Sequence, residues 1–140
     1  LTPQSVNQLG GFRAQGKTAS AAKRLLEDAQ ILEEAGAFSI VLEAVPARLA
    51  EYISKKISIP TIGIGAGAGC DGQVLVTHDL LGLFDRFTPK FVRQYANLHE
   101  TMNKAFAEYI NDVGAKRFPA VEHIIEMTDE EWDAFQKEVK

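Results

Sequence analysis

The fold is decided by the stretch Ile59-Pro-Thr-Ile-Gly-Ile-Gly-Ala-Gly-Ala-Gly-Cys-Asp-Gly-Gln-Val-Leu-Val-Thr77, in which two apolar runs flank a glycine-rich segment. The runs Ile59–Ile64 and Gln73–Thr77 are too short for helices and rich in β-branched residues, so each predicts a strand. A third such run, Ser39–Leu42, lies upstream and ends at the carboxylate Glu43. Continuous apolar runs of this length are typical of parallel strands that are buried on both faces.

Helical periodicity separates and follows these predicted strands. Gly36 is a typical helix stop, and Pro46 is a typical helix start. The apolar side chains of the long helix predicted over Pro89–Val113 are expected to lie in the core or in a subunit contact. The predicted helices cover Thr18–Ala35, Ala47–Lys56 and Pro89–Val113, with a short final helix that a capping box opens at Thr128-Asp-Glu-Glu131.

The order of these elements indicates an α/β fold. Buried strands that alternate with helices predict right-handed crossovers and a parallel sheet, with the functional side chains at the carboxyl ends of the strands. Three strands cannot close a barrel. The chain also begins Leu1-Thr-Pro, without an initiator methionine. We therefore expect a fragment or a processed chain.

Composition and charge limit the class of protein. The 140 residues include 15 Lys+Arg and 19 Asp+Glu, which gives a net charge of −4. A mildly acidic chain without basic clusters predicts no nucleic-acid partner and no membrane partner. One cysteine and three scattered histidines exclude a disulfide framework and a zinc-finger site. We expect a cytoplasmic protein, because no apolar run approaches the roughly 20 residues of a membrane span and no signal-peptide pattern is present.

Glu43 is the first candidate for chemistry. A carboxylate directly after a buried parallel strand lies at the functional edge of the sheet, where partial desolvation makes a carboxylate a stronger base. The alternative is a structural carboxylate, either a salt-bridge partner or the cap of the following helix. Position alone leaves both interpretations open.

The segment Gly63-Ile-Gly-Ala-Gly-Ala-Gly69 formally satisfies the dinucleotide-binding pattern G-x-G-x-x-A. That pattern needs a helix directly after it, because the helix N-terminus faces the pyrophosphate. Here Cys70-Asp-Gly72 leads into another predicted strand, which argues against a dinucleotide site. The segment is then a loop that approaches a ligand closely, or a tight connection without a ligand.

Other polar residues give weaker signals. His78 and Asp79 end the third predicted strand at the same edge as Glu43, where they can bind substrate or metal, or hydrogen-bond the following loop. Cys70 has no neighbouring base in the sequence, which argues against a nucleophile. The remaining candidates are two surface or packing histidines and two opening-loop cations that can contact an anion, namely His99, His123, Arg13 and Lys17.

Three strings together resemble a known family. They are Leu1-Thr-Pro-Gln-Ser-Val-Asn-Gln-Leu-Gly-Gly-Phe12, Val41-Leu-Glu-Ala-Val-Pro46, and the stretch from Ile59 to Val76 that continues to His78-Asp-Leu-Leu-Gly82. From Leu1 to about His123 the chain closely resembles the carboxyl-terminal half of the ketopantoate hydroxymethyltransferases (3-methyl-2-oxobutanoate hydroxymethyltransferases), which act first in pantothenate synthesis. The resemblance implies that residues 1–123 form the carboxyl-terminal half of a (β/α)8 TIM barrel, with its last three strands, and that 124–140 form a helical tail.

The resemblance also implies the chemistry. The family transfers a hydroxymethyl group from 5,10-methylenetetrahydrofolate to the keto acid 3-methyl-2-oxobutanoate, which gives 2-dehydropantoate. It needs Mg²⁺ and assembles into large homo-oligomers, typically decamers. Its base is the glutamate of the V-L-E-x-V-P motif, which is Glu43 here. The carboxylates that bind Mg²⁺, and the lysine and serine that hold the keto acid, belong to an amino-terminal half that is missing here, so the resemblance assigns no metal ligand and no folate ligand to this chain.

Two alternatives remain open at this point. In the first, the chain is an inactive half-barrel fragment or a binding module that lacks the metal site. In the second, it is a structural piece that pairs with a copy of itself to cover its exposed strand edges. An active assembly must acquire Mg²⁺ ligands from another polypeptide, whereas a module or a structural dimer need not.

Overall fold

The computed structural model describes residues 14–139. Contacts divide the chain into two compact units, one that ends at Asn97 and one that begins at Leu98. The first unit contains α1 (Ala19–Glu34), β1 (Ile40–Glu43), α2 (Ala47–Ser54), β2 (Thr61–Ile64), β3 (Gly72–Gln73) and α3 (Thr77–Leu80). The second contains α4 (Leu98–Gly114), a 3-10 turn (Val121–His123) and α5 (Asp129–Glu138).

The three strands form one parallel sheet in the order β1-β2-β3. β1 and β2 pair along their full length, and this register places Glu43 opposite Ile64. The prediction of an α/β fold with a parallel sheet is confirmed. Because the strands described between residues 14 and 139 form an open sheet, the closed barrel stays a prediction.

The core lies on one face of this sheet. Side chains alternate between the two faces of a strand, and the buried positions are Ile40 and Leu42 in β1 and Thr61 and Gly63 in β2. Burying a side chain such as Leu42 contributes roughly 1.5–3 kcal/mol. The apolar core cluster combines β1 with α1, α2 and the adjoining loops and consists of Ala29, Ile40, Leu42, Val45, Ala50, Ile53, Ile57 and Ala66.

The third strand is shorter than predicted. The sequence pattern predicted Gln73–Thr77, whereas β3 covers only Gly72–Gln73. Val74 still donates its N–H to a β2 carbonyl oxygen at 3.0 Å. Beyond that point β2 offers no partner, because Gly65 turns its chain away with a φ of 65°. The prediction of a strand through Thr77 is therefore wrong, and the chain forms α3 there instead.

The long helix begins later than predicted. The periodicity predicted Pro89–Val113, whereas α4 covers Leu98–Gly114. In the segment before α4, Tyr95 donates its backbone N–H to the carbonyl oxygen of Leu80 at 2.8 Å. This hydrogen bond to α3 uses a group that a helix would have satisfied internally. Local periodicity carries no information about such a tertiary contact.

In the second unit, the final helix is confirmed. Thr128 caps α5 by accepting a hydrogen bond from the backbone N–H of Glu131 at 3.4 Å. The ring of Tyr109 on α4 meets Phe118 edge-on, with ring centroids 5.6 Å apart. Of the apolar stripe that the sequence predicts along α4, Leu98 is half-buried, and the exposed members are Met102, Phe106, Tyr109 and Val113. The boundary expected after His123 stays a prediction.

Across residues 14–139, every helix is too short or too polar to span a lipid bilayer.

Candidate active site

Glu43 lies at the carboxyl end of β1 on the sheet face opposite the core. Alternation along the strands places it with Val41, Ile62 and Ile64, all of them half-buried. Residues 14–139 give its carboxylate no hydrogen bond and no ion pair. Glu43 is thus a half-buried carboxylate among apolar neighbours. The helix-cap alternative receives no support, because α2 begins after Pro46 without a side-chain cap.

The residue after Glu43 has an unusual backbone. Ala44 has a φ of 52°, in the left-handed region that L-residues with a Cβ rarely adopt. Its N–H donates to the carbonyl oxygen of Ile64 at 2.9 Å, and its carbonyl oxygen accepts from the N–H of Gln15 at 3.1 Å. The sequence carries no signal for this conformation, because alanine has no intrinsic preference for a left-handed backbone.

The glycine-rich loop lies next to Glu43, because Ile64 in this segment is the register partner of Glu43. A Cβ added at Gly67 would lie 2.4 Å from the Cβ of Ala47, and one added at Gly65 would lie 2.7 Å from the Phe91 ring. Both glycines also have positive φ angles, 65° and 77° in chain order. The loop therefore packs closely against α2 and Phe91, and its approach to a ligand stays a prediction. The loop continues into β3, which agrees with the argument against a dinucleotide site.

Asp71 closes this loop through a hydrogen-bond network that the sequence did not reveal. One carboxylate oxygen accepts from the Thr61 backbone N–H at 2.8 Å and from the Thr61 hydroxyl at 2.9 Å. The Thr61 hydroxyl lies 2.6 Å from that of Ser54. The backbone hydrogen bond from Thr61, followed by the one from its hydroxyl, lowers the pKa of Asp71 below its ordinary value. Asp71 therefore has a structural role here.

The structure does not place His78 and Asp79 at a strand end, and that prediction is wrong. Both lie on α3, with His78 exposed and Asp79 half-buried. An open depression of about 460 Å³ lies near them and is lined by Gln73, Val74, Leu75, Leu80 and Tyr95. Its lining is mostly apolar and includes neither His78 nor Asp79.

The other polar candidates show only surface and packing contacts. His123 accepts from the backbone N–H of Ala120 at 3.2 Å, and the His99 ring lies 2.9 Å from the Asn103 side-chain nitrogen. Cys70 is half-buried and Lys17 is exposed. Arg13 and the motif at residues 1–12 lie outside the described residues.

Mg²⁺ prefers about six oxygen ligands, of which one or two come from protein carboxylates. Between residues 14 and 139, however, no three side chains of His, Cys, Asp or Glu lie close enough together to hold a metal ion. The described residues therefore form no three-ligand metal site of their own.

Comparisons with known proteins agree with the motifs. The family described as Ketopantoate hydroxymethyltransferase matches residues 1–121. Among curated relatives, the 3-methyl-2-oxobutanoate hydroxymethyltransferase of Enterococcus faecalis is 62% identical over 130 residues, which are 93% of this chain and 47% of that protein. The one from Clostridium botulinum is 60% identical (94% and 48%), and the one from Oleidesulfovibrio alaskensis is 55% identical (99% and 48%).

The names of the relatives bear on the interpretations that the sequence left open. All three carry the name of an enzyme, which does not favour a binding module or a structural piece. The chain spans about half the length of the curated relatives it matches. The long family match and the high identities together show that the chain belongs to the ketopantoate hydroxymethyltransferase family.

Proposed function

We propose that this chain contributes the base to a hydroxymethyltransferase. The complete enzyme transfers a one-carbon unit from 5,10-methylenetetrahydrofolate to 3-methyl-2-oxobutanoate and forms 2-dehydropantoate. Family membership supports the reaction class, because the relatives are named 3-methyl-2-oxobutanoate hydroxymethyltransferases. The observation that carries the proposal is Glu43, a half-buried carboxylate at the carboxyl end of a parallel strand, where enzymes with parallel sheets carry out their chemistry.

The proposed role of Glu43 follows from the substrate. A 2-keto acid becomes a carbon nucleophile when the C3 proton leaves and the C–H electron pair enters an enolate. A positioned carboxylate is a suitable proton acceptor for this step. Since residues 14–139 give Glu43 no hydrogen bond and no ion pair, its oxygens are available to accept that proton. The enolate carbon then attacks the methylene carbon that the folate carries. Both C–N bonds of that carbon break in the complete reaction, water supplies the hydroxyl group, and the two folate nitrogens take up the C3 proton and a proton from water.

The rest of the proposed enzyme comes from outside this chain. We expect the amino-terminal half of the barrel to complete the sheet and to bring the Mg²⁺ ligands, since residues 14–139 hold no cluster of three His, Cys, Asp or Glu side chains. When bound, Mg²⁺ supplies Lewis-acid stabilisation of negative charge on the keto acid. We also propose a cytoplasmic, large homo-oligomeric assembly, a decamer as the resemblance implies.

The base assignment is tested by Glu43→Gln in the completed enzyme, in which this chain is combined with the amino-terminal half in the presence of MgCl₂. Glutamine keeps the shape of the side chain but cannot accept the C3 proton. Because a positioned base contributes about 10²–10⁴ in rate, we expect turnover to fall by at least about 100-fold. The measurement is formation of 2-dehydropantoate from the keto acid and methylenetetrahydrofolate.

The matched control is Glu34→Gln, which makes the same chemical change at the exposed end of α1. It should leave turnover unchanged. A Glu43→Gln enzyme that keeps nearly full turnover would show that Glu43 is not the base. A completed wild-type enzyme without any transfer activity would instead contradict the proposed reaction.

A further inference from the structure

Ala44 combines an unfavourable backbone with a position next to the candidate base. Among residues 14–139, the two non-glycine residues with positive φ are Ala44 at 52° and Lys116 at 56°. In this conformation the Cβ of an L-residue crowds its own carbonyl oxygen, so the surrounding structure must hold the residue there. Backbone strain of this kind is concentrated at functional sites in proteins.

Contacts from three directions hold Ala44 in this conformation. On one side its N–H donates to the Ile64 carbonyl oxygen at 2.9 Å, and on another the Gln15 N–H donates to its carbonyl oxygen at 3.1 Å. After it, Val45 is buried in the core and Pro46 directly precedes α2. An extended Ala44 would break these hydrogen bonds or pull Val45 out of the core.

The hydrogen bond to Ile64 connects this turn to Glu43. Ile64 is the register partner of Glu43, and the Ala44 N–H belongs to the peptide group that directly follows Glu43. The orientation of that peptide group is therefore fixed by the left-handed backbone at Ala44. If the backbone at Ala44 changed, Glu43 would be the nearest residue to absorb the change in chain direction.

We infer that Ala44 is a positioning residue, whose left-handed backbone holds the Glu43 carboxylate where it meets the C3 proton of the keto acid. This inference rests on the proposed function of Glu43. A positioning role and a purely structural role for Ala44 predict different results. A misplaced base slows proton transfer at saturating substrate, whereas a weakened turn lowers only the stability of the fold. The inference also predicts that tolerance for a positive φ, and not side-chain size, decides activity.

The test uses three substitutions of Ala44 in the completed enzyme with MgCl₂. Glycine adopts positive φ freely and asparagine tolerates it, whereas the β-branched threonine does not. Asparagine and threonine have similar volumes, so Ala44→Asn and Ala44→Thr form a matched pair. The readout is exchange of the C3 proton of 3-methyl-2-oxobutanoate for deuterium in D₂O without folate, followed by proton NMR. Here the proton passes to the carboxylate, exchanges with solvent, and a deuteron returns to the enolate carbon.

We expect Ala44→Gly and Ala44→Asn to keep the maximal exchange rate within about threefold of wild type. In Ala44→Thr the maximal exchange rate should fall at least about 10-fold, because small misplacements of reacting groups are costly. Its KM for the keto acid should change less than about threefold. Lys116→Thr places the same β-branched residue at the other position with a left-handed backbone, and it should lower thermal stability without slowing exchange of the C3 proton. The inference would be overturned if folded Ala44→Thr enzyme exchanged the C3 proton at the wild-type rate. It would also be overturned if Ala44→Asn, or Lys116→Thr, lost as much of the maximal exchange rate as Ala44→Thr. Wild-type enzyme without exchange or transfer would overturn the proposed function, and this inference with it.

Discussion

Thr61 is a fully buried polar residue in β2, and its hydroxyl group connects two other elements. Its hydroxyl group donates to the Asp71 carboxylate at 2.9 Å and lies 2.6 Å from the Ser54 hydroxyl of α2. Buried polar groups are tolerated only when they are hydrogen-bonded, and every polar atom of Thr61 that faces the core meets this condition. The network therefore fastens α2 and the end of the glycine-rich loop to the same position of β2.

This network predicts a pH dependence of stability. Hydrogen bonds from Thr61 lower the pKa of Asp71 in the folded chain, whereas an unfolded aspartate has a pKa of about 3.9. The ionised carboxylate therefore stabilises the fold above about pH 4, and this contribution is lost as the pH falls through the folded pKa. Asp71→Asn should lower the melting temperature most near pH 7, and the difference from wild type should shrink below about pH 4.

Thermal melts of the chain from pH 7 to pH 3 measure this difference, and Thr61→Val provides the matched variant. Valine removes the hydroxyl donor but keeps the backbone N–H donor to Asp71. Thr61→Val should therefore keep part of the pH dependence that Asp71→Asn loses. A constant difference between wild type and Asp71→Asn across this pH range would show that the carboxylate is not stabilised by the fold.

At the scale of elements, the glycine-rich loop and α2 depend on each other for close packing. Gly67→Ala would place a Cβ 2.4 Å from that of Ala47 at a φ of 77°. We expect a loss of about 3 kcal/mol in the free energy of unfolding, from left-handed strain and overpacking together. Gly36→Ala, at a φ of 89° with no atom within 4 Å, should cost about 1 kcal/mol from strain alone.

Urea denaturation of the two variants checks this difference. Adding Ala47→Gly to Gly67→Ala removes the second Cβ of the clash, so the double variant should recover part of the lost stability. If Gly67→Ala costs no more than Gly36→Ala, the loop is not packed tightly against α2.

The elements that the sequence predicted correctly are those whose pattern is local. α1, β1, α2 and β2 carry apolar periodicity and clear start or stop residues such as Gly36 and Pro46, and Glu43 was placed at the end of β1 because it follows the apolar run. The errors concern contacts between distant segments. β3 stops where β2 turns away, and α4 starts late because Tyr95 bonds to Leu80. Neither the left-handed backbone of Ala44 nor the Asp71 network has a signature in a single sequence.

At the scale of the whole molecule, the open sheet and the partial match to the relatives agree. Parallel sheets are normally covered on both faces and along their edges. Here helices cover the face of Ile40 and Leu42, whereas Val41, Glu43 and Ile62 are only half-buried. A chain that spans about half of its relatives and forms three parallel strands is consistent with the proposed barrel, in which a further strand pairs with β1.

The outer edge of β1 provides a direct test of that barrel. Ile40 and Ala44 donate their backbone N–H groups to Pro60 and Ile64 on the β2 side. Since N–H directions alternate along a strand, those of Val41 and Glu43 point to the opposite edge, where residues 14–139 provide no strand. Amide hydrogen exchange measured by NMR should be slow at Ile40 and Ala44 in the chain alone and fast at Val41 and Glu43.

Addition of the amino-terminal half should slow exchange at Val41 and Glu43 by at least about 100-fold, because opening a sheet hydrogen bond then requires separating the two halves. Ile40 and Ala44, already paired with β2, are the internal control and should change much less. Val41 and Glu43 amides that still exchange rapidly in an assembly with full transferase activity would contradict the pairing. In that case the second half would complete the active site without adding a strand to β1, and the chain would not be part of a continuous barrel.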